Sequence, residues 1–216
     1  MNLRSVLLPT LLLLVAATAR AHTGHAPTAP QADAPAAPAA RAAPGGTRDP
    51  QAYFTDTELV TQDGRKLRFY SDVLAGRTVV VNIVYTHCND ACPLITQKLL
   101  EVRQRLGERF GSEVVFLTLT SDPERDTPAV LKRFAREQGA DVPGWLFLTG
   151  SKDNVGLVLR RLGSYSANVE EHPTLIFAGN VPAKRWTKIR PDAPGQLIAE
   201  RIRLLADATA ELAGSH

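Results

Sequence analysis

The strongest constraint on the fold lies between Thr78 and Phe110, where three signals follow one another without a gap. Thr78-Val-Val-Val-Asn-Ile-Val-Tyr85 is rich in β-branched residues and nearly continuous in apolarity, the pattern of a central strand covered on both faces. A polar turn, Thr86-His87-Cys88-Asn89-Asp90-Ala91-Cys92-Pro93, comes next. Beyond it Ile95, Leu99, Val102, Leu106 and Phe110 recur at steps of three and four, which is one face of a helix. Pro93 fits the first turn of that helix, where a missing N–H costs no hydrogen bond. A doubly covered strand that feeds directly into a helix calls for a layered α/β domain.

The rest of the chain continues the alternation. Leu59-Val60-Thr61 and Leu67-Arg68-Phe69 flank Gln62-Asp63-Gly64-Arg65, and Asp-Gly between apolar runs signals a hairpin. Val114 to Thr120 reads as a strand, and Thr127-Pro128 caps and opens a helix to about Glu137. Trp145 to Thr149 is a further strand, and Ser151 caps a helix to about Leu162. Thr174 to Ala178 and Arg185 to Lys188 form a closing hairpin that turns at Gly179-Asn180. Asp192 caps a last helix burying Ile198, Ile202, Leu205 and Leu212. The expected architecture is α/β, a mixed central sheet flanked by helices on both faces.

The amino-terminal part has a different character. Residues 1–21 read as a secretory signal: Arg4 at its start, an apolar middle from Val6 to Ala17, and Ala19-Arg20-Ala21 for cleavage. The run is shorter than the roughly 20 apolar residues of a spanning helix, so no membrane span is expected after processing. Residues 22–48 are rich in Ala and Pro, a composition that cannot bury enough apolar surface to offset ordering. This stretch is expected to be a disordered linker, leaving 49–214 as the folded domain. His22 and His25, beside a new amino terminus, are metal-binding types whose place in such a tail is expected to be incidental. Without Arg4 and Arg20 the basic residues number 25 − 2 = 23 against 22 acids. That balance carries no nucleic-acid footprint.

Cys88 and Cys92 are the two cysteines of the chain, and export makes a disulfide their default state. Four positions apart across the first helical turn, they place both sulfurs on one side, within disulfide range. The unpaired N–H groups of a helix N-terminus favour a thiolate. Two adjacent thiolates are soft donors that select Cu(I) over hard cations, and a neutral imidazole completes a three-coordinate site. The same pair, oxidised, is a reactive disulfide. A mere staple over so short a loop would remove little entropy from the unfolded chain, and a structural zinc site would lack its fourth ligand. Among the histidines, His87 sits at a strand end and is expected to point away from the sulfurs, and His216 is terminal. His172 leads out of a polar loop beside the mouth that carries the cysteines, and it is the candidate third ligand. The Asp122 to Asp126 loop is expected to cap the following helix rather than to shape the site.

Together these residues resemble the Sco/SenC family of copper proteins. The resemblance rests on Thr86-His87-Cys88-x-x-x-Cys92-Pro93 after an apolar strand, and on the strand and loop from Leu117 to Pro128, with Asp122-Pro-x-x-Asp126-Thr-Pro128. It rests also on His172, 172 − 92 = 80 residues after the second cysteine, and on Gly179-Asn180 and Trp186 beyond it. The resemblance implies a thioredoxin-like fold and a periplasmic carrier whose copper is held by Cys88, Cys92 and His172. Its implied partner is the cytochrome oxidase subunit with the Cu(A) centre, or another periplasmic copper protein. Family members are also read as thiol–disulfide oxidoreductases, for which Cys88 and Cys92 would be the redox pair. Two departures stand out. Asn89 replaces a proline common after the first cysteine, and Pro173 after the histidine resembles the cis-proline segment of thioredoxins.

Overall fold

The computed structural model describes residues 49–88 and 90–213, with side chains as far as Ala208. The expected signal and linker, Asn89 and His216 lie outside the described residues, and Leu212 lies in the last helix beyond the described side chains.

The hairpin expected around Asp63-Gly64 forms from β1 (Glu58–Thr61) and β2 (Lys66–Arg68), after a short helix α1 (Pro50–Phe54). β3 (Thr78–Val84) is buried at every position and runs through the turn into α2 (Ala91–Leu106). Then follow β4 (Val114–Thr120), α3 (Pro128–Glu137), β5 (Trp145–Thr149) and α4 (Lys152–Leu162). β6 (Ile176–Asn180), β7 (Arg185–Ile189) and α5 (Gly195–Ala213) close the chain. The caps read from sequence hold at two helices: Thr127 Oγ1 accepts the Val130 N–H at 3.4 Å, and Ser151 Oγ accepts the Asn154 N–H at 3.2 Å.

Among the described residues, the seven strands lie in the order β2-β1-β5-β4-β3-β6-β7. The steps β3–β4 and β4–β5 are parallel, and the remaining pairings are antiparallel. The two parallel steps move the same way across the sheet, so crossovers of one hand put α2 and α3 on the same face. There α5 joins them over Val80, Phe116, Phe147 and Ile176. The opposite face packs Val79, Val81, Ile83, Leu117 and Leu148 under α1, α4 and the wide turn Phe69–Leu74. The expected mixed sheet with helices on both faces is the one observed. Among the described residues no helix is long and apolar enough to cross a membrane.

Two expectations are corrected. Gly179-Asn180 is not the turn of the last hairpin: both residues belong to β6, and the turn is Val181 to Lys184. The glycine is there because Trp186 lies across it, where a Cβ would meet the indole at 2.4 Å. Asn180 is fully buried; its Nδ2 donates to Leu205 O at 2.7 Å and its Oδ1 accepts the Ala183 N–H at 2.9 Å. Asp192 is not the cap of α5, which begins at Gly195 with the Ile198 N–H bonded to Pro194 O. Asp192 pairs instead with Arg190. Ile198 and Ile202 are buried as expected, while Leu205 packs only partly against the core.

Candidate metal centre

The cysteines sit at the carboxyl ends of the parallel strands, where β3 hands the chain to α2. The Cys88 N–H closes a turn on Tyr85 O at 3.0 Å. Asp90, at the N-cap of α2, makes no side-chain capping bond. The orphan helix N–H of Cys92 finds Cys88 Sγ instead, at 3.5 Å. The first sulfur thus takes the place of a capping oxygen. Both cysteines are present as thiols and buried, 8 % exposed at Cys88 and 2 % at Cys92. Val84 and Tyr85 pack against them.

The two thiols are electrostatically unlike. Burial pushes Cys88 up, but the N–H groups of Cys92 and Asp90 and hydrogen bonds to the Cys92 and Tyr85 side chains outweigh it, and the thiol ends below its ordinary value. Burial dominates at Cys92 and pushes it up to about 12, with the Cys88 thiolate and Asp126 adding to the rise. The Tyr85 hydroxyl is also raised to about 12, by its hydrogen bond to Cys88 and by burial.

His172 follows the turn Val169–Glu171, is 6 % exposed, and has Nδ1 3.3 Å from Pro173 O. Burial lowers its basicity, so the neutral imidazole is favoured. The His172–Pro173 peptide is trans, as are all the described peptide bonds. The Tyr85 ring, packed against the two cysteines, also reaches both histidines. It meets the His172 ring edge-on at 5.8 Å and the His87 ring at 4.9 Å. The fold therefore brings Cys88 and Cys92 together and carries His172 to the same tyrosine. As they stand, no three His, Cys, Asp or Glu side chains among the described residues are close enough to hold a metal ion. His87 faces the neighbouring loop, with Nε2 2.9 Å from an Arg125 guanidinium nitrogen and 3.7 Å from Asp122 Oδ2.

Three features escaped the sequence reading. Tyr85 was the last residue of an apolar run, and nothing in its spacing marked it as the link between Cys88 and His172. Asn82 breaks that run inside the core: its Oδ1 accepts from Thr118 Oγ1 at 2.7 Å, and Thr118 Oγ1 accepts from Trp145 Nε1 at 2.9 Å. Asp126 does not cap α3, a task that Thr127 performs. It turns to the cysteine loop, where Thr86 donates to it. An Asp one residue before a Thr-Pro helix start looks like part of the cap, which hid that role.

The SCO1/SenC family model matches residues 45–203. A SCO2-like protein of Rickettsia felis is 31 % identical over 114 residues, covering 53 % of this chain and 53 % of that protein. The chain thus spans about half the length of that relative. The copper-bound structure of Bradyrhizobium japonicum ScoI superposes with a TM-score of 0.58 at 23 % identity, over 69 % of this chain and 96 % of that one. BsSco, described as a cytochrome c oxidase assembly protein with a disulfide switch, superposes with a TM-score of 0.59 at 22 % identity, over 69 % and 90 %. At such identities the superpositions speak for the thioredoxin-like fold of the Sco proteins.

Proposed function

The chain belongs to the SCO1/SenC family, and from that premise we propose that its domain binds copper as cargo and delivers it in the periplasm to the Cu(A) centre of cytochrome c oxidase. The observation that carries the reading is the paired sulfurs, one of them held as a helix cap with its thiol below the ordinary value. Two sulfurs and a neutral imidazole are a soft donor set that suits Cu(I) and does not suit calcium or magnesium. Cys88, Cys92 and His172 are the proposed ligands. His172, whose ring meets Tyr85 beside the sulfurs, has to move closer to them to complete the set.

The test is anaerobic Cu(I) titration of the reduced protein beside Cys92→Ala and His172→Ala. One equivalent bound tightly, with affinity lost in Cys92→Ala and weakened at least about tenfold in His172→Ala, is the expected result. Equal affinity in all three would sink the proposal.

A second reading is favoured by the contrast between the two thiols. A reactive Cys88 and a protected Cys92 suit thiol–disulfide exchange. In that exchange the Cys88 thiolate attacks a disulfide of the receiving protein, and Cys92 then resolves the mixed disulfide and releases a second thiol. The outcome is one disulfide formed here and one reduced there. Such work does not need an imidazole, so full reductase activity in His172→Ala, beside Cu(I) binding that is already loose in the wild type and indifferent to His172, would select this reading over the first.

A further inference from the structure

The carboxylate of Asp126 is fully buried, and its side-chain hydrogen bonds run to the root of the cysteine loop and to the strand beside it. Its Oδ1 accepts the Thr86 hydroxyl at 2.6 Å. The Thr86 N–H lies 3.1 Å from Oδ2 and 3.3 Å from Oδ1. Oδ2 also accepts the Thr120 hydroxyl at 2.6 Å, and Thr120 Oγ1 accepts the Asp122 N–H at 2.9 Å. A carboxylate out of water is costly unless such donors meet it, and here they come from two strand ends.

Those strands do not need it for pairing. β3 and β4 are in register as far as Val84 and Thr120, and the Ser121 N–H continues the contact to Val84 O at 2.8 Å. The ladder ends there. Thr86 lies just past it, two residues before Cys88. Asp126 thus fastens the point at which the cysteine loop leaves the sheet, and Asp122 and Arg125 of the same loop hold His87, the next residue.

We propose that Asp126 is a positioning residue for Cys88 and Cys92: by tying Thr86 to Thr120 it holds the loop in the geometry that keeps the two sulfurs together. This rests on the pair being the functional centre, and not on copper being its cargo. Loosening the tie lowers the effective concentration of one thiol at the other, so the disulfide becomes harder to form.

The experiment equilibrates the full chain with glutathione, in which the protein dithiol and one oxidised glutathione give the protein disulfide and two reduced glutathiones. Wild type is compared with Asp126→Asn, Thr86→Ala and Thr86→Ser. Val158→Ala, in the core of the opposite face, reports loss of stability alone. The formation constant is expected to fall at least about tenfold in Asp126→Asn, a potential about 30 mV less negative. Thr86→Ala is expected to fall at least about fivefold, while Thr86→Ser, which restores the hydroxyl, and Val158→Ala stay within about twofold. The proposal is overturned if a folded Asp126→Asn or Thr86→Ala stays within that range, if Thr86→Ser moves as far as Thr86→Ala, or if Val158→Ala moves with them. Should Asp126→Asn fail to fold, the Thr86 pair decides. Failure of the wild type to bind Cu(I) would defeat the copper reading and leave this result standing.

Discussion

The amide N–H of Cys92 donates to the sulfur of Cys88 across 3.5 Å, so the first cysteine of the pair serves as the cap of the helix that contains the second. One sulfur receives the partial positive charge of a helix start, while at the other, only 2 % exposed, burial dominates. The difference between the two thiols follows from this placement and not from their chemistry.

Alkylation should therefore separate them. With a neutral alkylating reagent at neutral pH, Cys88 is expected to react at least about tenfold faster than Cys92, since the thiolate is the nucleophile and Cys92 is held up to about 12. Peptide mapping by mass spectrometry at short times measures the ratio. Equal labelling would show that the helix start does not set the order.

Tyr85→Phe removes the hydroxyl that hydrogen-bonds Cys88 and keeps the ring that meets His172 and His87. The Cys88 thiol is expected to titrate higher than in the wild type, because one of the groups lowering it is gone. Overall stability should change by no more than about 1 kcal/mol. Thiolate absorbance against pH gives the first quantity and denaturant unfolding the second. An unmoved titration would remove the hydroxyl from the account of Cys88.

Thr127→Ala deletes the cap of α3 and should cost about 1 kcal/mol with no change in Cys88 reactivity. The neighbouring Asp126 serves the cysteine loop and Thr127 serves the helix. Denaturant midpoints and alkylation rates measured together test the division. A Thr127→Ala variant whose thiols change would merge the two roles.

Gly179→Ala places a Cβ against the Trp186 indole, 2.4 Å from its nearest atom. Overpacking of this kind costs about 1–3 kcal/mol, and the smaller side chain of Trp186→Val in the same chain should relieve part of it. A double-mutant cycle in denaturant shows the coupling. Additive effects would mean that the tryptophan is not what demands the glycine.

Much of this molecule was settled by local pattern. The apolar run at Thr78, the helical repeat from Ile95 and the cap residues Thr127 and Ser151 fix β3, α2, α3 and α4, because burial periodicity and capping act over a few residues of chain. The Cys-x-x-x-Cys spacing likewise determined that both sulfurs meet at a helix start. Tertiary structure decided the rest. Gly179-Asn180 carries a turn signature, but the Trp186 ring on one side and the Leu205 carbonyl on the other hold it in a strand. Asp126 lies 40 residues from Thr86 along the chain, and no local signal distinguishes a carboxylate that caps its own helix from one that crosses to another strand. His172 is marked in the sequence by its loop beside the cysteine mouth and its place after Cys92, but its burial and its edge contact with Tyr85 arise only once β6 pairs with β3. Sequence determines what each segment prefers, and packing at a distance decides which polar groups those segments must satisfy.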